Sequence, residues 1–452
     1  MNRSFAIDDS PDPVALPRDE FGPSSWLIAF AGLHFFCQLL LLVPELTSVR
    51  VVIRMTAFLG SAGLLVLTML KGGRQSSPLR FWAYGILVII GCAGLNPDSN
   101  NPLASAAQFA MYVSILGPLF WASRLRVTAQ RFQLLILLFW IFYTASAVVG
   151  VLKAYFPGSF QPALSTVVAD QGEGYLLSLE IQLASGERIF RPMGLTDTPG
   201  GAAYGGMYAV LLGLGMLQGK SLFRGARLLA AGSVILGAMC LYLCQVRSLI
   251  VMTGVCVVTL AFVLALSGRF SRLLGAAIVI SAGAALAFFL AQSVGGDAVT
   301  SRLSTLTNED PASVYYKNRG IFLEDTIERL LPLYPFGAGL GRWGMIARYF
   351  GDQVDTIWAE IQWTGWLLDG GIPLIITYTG AIIGVTWACL RVAVQERDRD
   401  VGGWAATIVA YNAGAFAVCF NYPVFMGTSG VEFWLLNAAL LQSVRYTAQL
   451  SG

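Results

Sequence analysis

Apolar runs of membrane-spanning length recur along this chain, and no other feature limits its fold so strongly. They lie at approximately 26–43, 50–70, 79–95, 103–121, 132–152, 199–218, 228–246, 248–266, 273–293, 365–390, 403–421 and 430–446. A helix needs roughly 20 apolar residues to cross the hydrocarbon of a bilayer. Only 12% of the 452 residues are charged and 56% are hydrophobic, whereas a soluble domain would be about a quarter charged. Polar groups cannot cover so apolar a surface, so lipid must. The sequence predicts an all-α, polytopic membrane protein of about twelve transmembrane helices, with no soluble catalytic domain left over.

Positive charge sets the direction of threading, because cytoplasmic loops carry the excess of Lys and Arg. Lys71, Arg74 and Arg80 share one connection; Arg124, Arg126 and Arg131 share the next but one. Lys220, Arg224 and Arg227 follow, then Arg269 and Arg272, then Arg391, Arg397 and Arg399. The intervening connections, such as Asn96 to Pro102 and Tyr422 to Ser429, hold no Lys or Arg. Both termini are therefore expected in the cytoplasm, and the two long segments, about 153–198 and 294–355, on the other face. Residues 1–25 hold four prolines and five acids against Arg3 and Arg18. That composition predicts a disordered cytoplasmic tail without the basic start of a signal peptide, leaving 26–452 as the transmembrane domain.

The second long segment is expected to be partly helical. Asp310 before Pro311 is a helix-start signal, and Val314, Ile321, Phe322, Ile327 and Leu330 form an amphipathic run. From Asp355 to Arg391 the chain is too long for one span. Gly370, Gly371 and Pro373 offer a break, which predicts a surface or half-buried helix up to Asp369 and then a true span.

Charges that topology does not require are the candidates for chemistry. Arg247 sits between two apolar runs with almost no loop, and Arg at helix-centre depth costs roughly 2.5 to 3.5 kcal/mol on insertion scales. It is either an end residue that snorkels to solvent or a cation aimed at an anionic ligand, for which a guanidinium fork suits phosphate. Arg188 and Arg191 precede the sixth run, and Arg319 and Arg342 lie in the second long loop. Each fits a plain surface role, but five arginines on one face favour a polyanionic substrate. Arg329 beside Glu328 is expected as a helix-surface ion pair.

Glu360 lies among aromatic and apolar neighbours just before a span, where partial desolvation would make it a stronger base near neutral pH. A carboxylate that caps or anchors the helix fits the same residues. Gln362, two positions on, is a candidate for substrate binding. Asp352 and Asp355, three apart, are a weak cation signal and read better as a solvated face; Glu324 and Glu328 read as a solvent-facing pair. Gly337, Gly339, Gly341 and Gly344 have no strand before them and serve turns or close backbone approach, not a nucleotide loop. The lone histidine, His34, makes no metal site and reads as a satisfied packing residue. The seven cysteines form no CxxC pair and read as small core residues. No platform for nucleic-acid bases is present.

Over about Arg191 to Ile372 the chain resembles the O-antigen ligase and O-antigen polymerase superfamily. These bacterial membrane proteins transfer glycan from a polyprenyl-pyrophosphate carrier on the periplasmic face. Arg191 with Gly194, Thr198 and Pro199 is similar to the family's Arg-x-x-Gly lead into a span. Gln245-Val246-Arg247-Ser248 is similar to its Ser-Arg element, and Arg319 followed by Pro335, Gly337, Gly339 and Gly341 to its Arg, Pro, Gly-x-Gly series. The family's ligases carry His-Asn eleven residues before the Gly that opens the following span, and an acid two before it. Counting from Gly371 gives Glu360 and Ile361 in place of His-Asn, with Asp369 as the acid.

The resemblance implies polymerisation or ligation of lipid-linked oligosaccharide repeat units at the periplasmic face of the inner membrane. It implies Glu360, Arg247 and Arg319 as catalytic residues, Arg191, Arg188, Arg342 and Gln362 as substrate-binding ones, and one inverting displacement without cofactor, nucleotide or metal. The partners implied are a polyprenyl-pyrophosphate-linked glycan donor, a glycan or lipid acceptor, the bilayer and other polysaccharide-assembly proteins. With Glu360 in the histidine's place, either Glu360 takes over proton abstraction or no base is needed there, and weight moves from ligase towards a polymerase or another glycan transferase. Two other classes stay open: a transporter or flippase of lipid-linked oligosaccharide, against which the scarcity of intramembrane charge speaks, and a scaffold in an export complex.

Overall fold

The computed structural model describes residues 23–71, 78–162, 164, 166–169, 172–219, 224–304, 308, 310–351, 356–396 and 400–451. The tail before residue 23 and Arg74, Lys220, Arg397, Arg399, Asp352 and Asp355 lie outside the described residues. All twelve apolar runs are helices: α1 Ser25–Leu40, α2 Arg50–Leu70, α3 Pro78–Ala93, α4 Pro102–Trp121, α5 Ala129–Tyr155, α6 Ala202–Leu217, α7 Arg224–Cys244, α8 Arg247–Leu266, α9 Phe270–Gly295, α10 Gln362–Gln395, α11 Asp400–Val418 and α12 Thr428–Ser451. Among the described residues eight of these (α2, α4, α5, α7 to α11) are long and apolar enough to cross a membrane, and α1, α3 and α6 are shorter apolar helices. The chain is an all-α, multi-pass membrane protein. One small hairpin interrupts this pattern, β1 (Glu180–Gln182) antiparallel to β2 (Arg188–Phe190).

The helices start where local chemistry satisfies their free N–H groups. Asn101 caps α4 by accepting from Ala104 N at 2.7 Å, with Pro102 at the first helical position, and Thr128 caps α5. Large aromatic side chains such as Trp121, Tyr208, Trp366 and Trp434 point inward and are fully buried, while Leu70, Phe81, Leu228 and Phe289 point out where acyl chains would lie. Without a hydrophobic drive between helices in lipid, close packing needs small residues. Gly206 on α6 and Gly237 on α7 meet so closely that a Cβ on Gly237 would come within 2.5 Å of the Gly206 carbonyl oxygen.

The basic connections gather at one end of the bundle. There Arg124 donates to Thr68 O at 2.7 Å, Arg80 to Ser123 Oγ at 2.5 Å, and Arg269 to Glu396 O at 3.3 Å. The two long segments meet at the opposite end, called here the loop end.

Residues 311–333 are helical, as the sequence predicts, and Asp310 caps them by accepting from Ala312 N at 3.3 Å and Ser313 N at 3.0 Å. Two π-helical turns, Tyr316–Gly320 and Thr326–Leu330, interrupt this helix. Arg329 does form a surface ion pair, but with Asp325 (2.6 and 2.8 Å) and not with Glu328, because residues four apart face each other on a helix and adjacent ones do not.

The predicted break in α10 falls at Gly371, whose φ of 66° is left-handed. The part before it is not a surface helix: 356–360 are irregular, helix begins at Gln362, and Trp366 to Gly371 are all buried. Trp366 stacks on Tyr378 at 4.6 Å between ring centroids and on Phe425 at 5.8 Å, which draws this turn into the core.

Candidate functional site

Arg319 belongs to the first π turn of the loop-end helix, and two contacts aim that helix. Tyr315 donates to Phe420 O at 3.3 Å in the α11–α12 connection, and the Thr326 hydroxyl lies 2.6 Å from that of Thr364 on α10. Between these anchors Arg319 Nη1 meets Glu360 Oε2 in an ion pair. The other oxygen, Oε1, accepts from Trp358 Nε1 at 3.0 Å. Glu360 is therefore a carboxylate engaged by donors on both oxygens, one of them from an aromatic neighbour in sequence. Burial lowers the Arg319 pKa from the ordinary guanidinium value, and Tyr175 and Tyr315 offset part of that.

Arg247 opens α8 with only two residues between it and the end of α7, across a reversal in which Gln245 takes a left-handed φ of 54°. Such a conformation is uncommon away from glycine. The tight turn sets Arg247 at the loop end, where its Nη2 donates to Asn318 Oδ1 at 3.2 Å, one residue from Arg319. Arg191 follows the hairpin and donates from Nη2 to Ser178 O at 3.0 Å. Gly200 holds it beside the α7–α8 reversal: Gly200 N donates to Arg191 O at 3.2 Å, and a Cβ on Gly200 would fall 2.9 Å from Val246. Burial lowers the Arg191 pKa too; Cys244 offsets this and the nearby Arg247 adds to it. Two cations brought together and partly desolvated form a place where an anion is favoured.

Four of the sequence candidates thus converge: Arg191, Arg247, Arg319 and Glu360. Three do not join them. Arg188 is exposed on the hairpin, paired across the strands with Gln182. Arg342 lies over the Tyr334 ring at 5.8 Å and donates to Ala338 O at 3.3 Å. Gln362 is fully buried, and its Oε1 accepts from Phe425 N at 2.8 Å, which ties α10 to the α11–α12 connection.

Asp369 is buried and has a supporting place. It accepts from Gln108 Nε2 at 3.0 Å, Tyr112 hydroxyl at 2.7 Å and Trp343 Nε1 at 2.9 Å. It therefore fastens the second long loop to α4. The loop's Gly337, Gly339, Gly341 and Gly344 all have positive φ, from 69° to 100°. Gly337 comes against Gly370, Gly339 against Ser99 and Gly341 against Ala104, so the expected close approach is present at these three.

Several residues at this end went unread in the sequence. Tyr175 lies within electrostatic reach of Arg191, Arg319 and Tyr422. On α2, Arg54 Nη2 pairs with Asp197 Oδ2 at 2.5 Å, and Arg50, one turn earlier, donates to Leu164 O. Inside the bundle Glu432 of α12 is buried; His34 Nε2 lies 2.9 Å from it, the Tyr208 hydroxyl donates to it at 2.9 Å, and the Tyr143 hydroxyl also donates to it. His34 packs inside the bundle, but it is not the satisfied residue the sequence suggests: its Nε2 meets an intramembrane acid, while its Nδ1 is buried with no partner among the described residues. No protein-family model matches the chain, and no curated protein matches it.

Proposed function

We propose that this protein is a membrane glycosyltransferase that extends or attaches a glycan carried on a polyprenyl diphosphate, acting at the non-cytoplasmic face of a bacterial inner membrane with both termini inside. The observation that carries this reading is the Arg319–Glu360 ion pair, with Arg247 hooked onto the same helical turn through Asn318. Cations and a carboxylate from segments far apart in sequence meet in one place, which is what a displacement with an anionic leaving group requires.

The donor's diphosphate competes with Glu360 for Arg319 and is gripped as well by Arg247 and Arg191. Once Arg319 turns to the diphosphate, the Glu360 carboxylate is released. It takes the proton of an acceptor sugar hydroxyl as that oxygen bonds to the anomeric carbon. The bond from that carbon to the diphosphate oxygen breaks, its electron pair leaves with the diphosphate, and the anomeric configuration inverts. Guanidinium groups aimed at the departing oxygens stabilise the charge that develops there.

Arg247→Ala and Arg319→Ala should each abolish turnover of lipid-linked donor in a membrane preparation while the protein is still made and inserted. Unchanged polymer from either variant removes the assignment.

Buried Glu432, paired with His34 inside the bundle, favours a second reading, in which the protein moves a lipid-linked oligosaccharide across the bilayer. That reading expects substrate movement in vesicles with no change in glycan length.

A further inference from the structure

The arginines read from the long loops occupy one wall of the loop end, and α2 supplies another. Arg54 is one turn into that helix, about a quarter exposed (24%), and its guanidinium pairs with Asp197 at 2.5 Å. Asp197 belongs to the same segment as Arg191, six residues on. Tyr422 stands between the walls: it is half exposed, and both Arg54 and Tyr175 lie within electrostatic reach of it. Tyr175 also faces Arg191 and Arg319. The loop-end helix closes the ring through Tyr315 on Phe420, two residues from Tyr422.

An arginine needed only to neutralise Asp197 would have no reason to stay a quarter open at the same end of the bundle as three other cations. We infer that Arg54 is a further substrate-contacting residue, which grips the diphosphate of the polyprenyl carrier opposite Arg247 and Arg319, with Asp197 holding its fork in place. This rests on the transfer proposed above and adds α2 to a site otherwise built from the two long loops and α8. Guanidinium suits the task because two N–H groups can serve Asp197 while others face phosphate oxygens.

The test is binding of a polyprenyl diphosphate without sugar to the purified full chain in nanodiscs. Arg247→Ala is the reference variant, and a melting curve without ligand reports folding. The double variant Arg54→Ala/Asp197→Asn removes both charges and leaves neither unpaired; its Kd is expected to rise about tenfold, the loss of one charge-assisted contact. Arg54→Lys keeps the charge and the pair but not the fork, and should weaken binding by about threefold. If Arg247→Ala binds weakly while the double variant binds like the unaltered protein, the inference about Arg54 falls and the transferase reading stands. If Arg247→Ala itself binds like the unaltered protein, the transferase reading falls and the inference with it. Should the double variant fail to fold, Arg54→Lys decides: unweakened binding overturns the role of Arg54.

Discussion

Arg319 and Glu360, 41 positions apart in sequence, hold each other as an ion pair with neither side chain fully buried (35% and 24% exposed). A pair partly open to solvent can be exchanged for another partner at modest cost, since exposed pairs contribute roughly 0 to 1 kcal/mol. Glu360→Gln keeps the shape and removes the base. It is expected to lower kcat by about 10²- to 10⁴-fold and to leave donor binding intact or tighter, because Arg319 no longer has a carboxylate to leave. Steady-state kinetics with separated kcat and KM checks this. A rise in KM with kcat unchanged would make Glu360 a structural anchor and not the base.

Asn318 acts through Arg247. Its Oδ1 accepts from the guanidinium at 3.2 Å, and its Nδ2 is fixed to Val314 O at 2.7 Å. Asn318→Ala should therefore weaken donor binding by about 3- to 10-fold, less than Arg247→Ala does, since one hydrogen bond to a charged group is lost and the charge remains. Asn318→Asp should restore a partner for Arg247 but repel the diphosphate, leaving binding weak. Titration with a polyprenyl diphosphate distinguishes the two variants from the unaltered protein.

Removing the Asp369 carboxylate leaves three buried donors, from Gln108, Tyr112 and Trp343, without their acceptor. Each unsatisfied buried donor costs about 1 to 3 kcal/mol. Asp369→Ala is thus expected to lower the melting temperature sharply and to loosen the second long loop, whereas Trp343→Phe, which deletes one donor, should be milder. Protease sensitivity of the 335–351 region, followed beside the melting curve, reports the loosening.

Sidedness has its own check. Cys92 is the one exposed cysteine among the seven, so a Cys92→Ser background is nearly silent to labelling. A membrane-impermeant maleimide is expected to reach Lys317→Cys, exposed on the loop-end helix, from the non-cytoplasmic side. Gln130→Cys, exposed at the basic end, should react only after the membrane is opened. The reverse pattern would leave the proposed transfer without a substrate on its side.

What the sequence reveals here is set by how local each signal is. Apolar runs, the Asp310 cap and the left-handed glycine at 371 are properties of a few consecutive residues, and the structure has them where the residues predict. Arg191, Arg247, Arg319 and Glu360 stand out because each is a polar residue where threading does not ask for one. Arg54 escaped because, near the end of an apolar run, it reads as an interfacial charge; only Asp197, 143 positions away, gives it a fixed place. Tyr175 and Tyr422 carry no pattern at all. Gln362 is the opposite case, since its nearness in sequence to Glu360 says nothing of the face it turns to, and it turns inward.

Glu432 and His34 are separated by 398 positions yet touch in the bundle core. As α12 enters hydrocarbon it carries an acid whose insertion is costly, roughly 2.5 to 3.5 kcal/mol on the scale measured for Asp. The donors that cancel this cost come from α1, α5 and α6, made long before. Biogenesis must therefore keep a slot among the early helices until the late one arrives, and the bundle latches shut by joining the two ends of its own path.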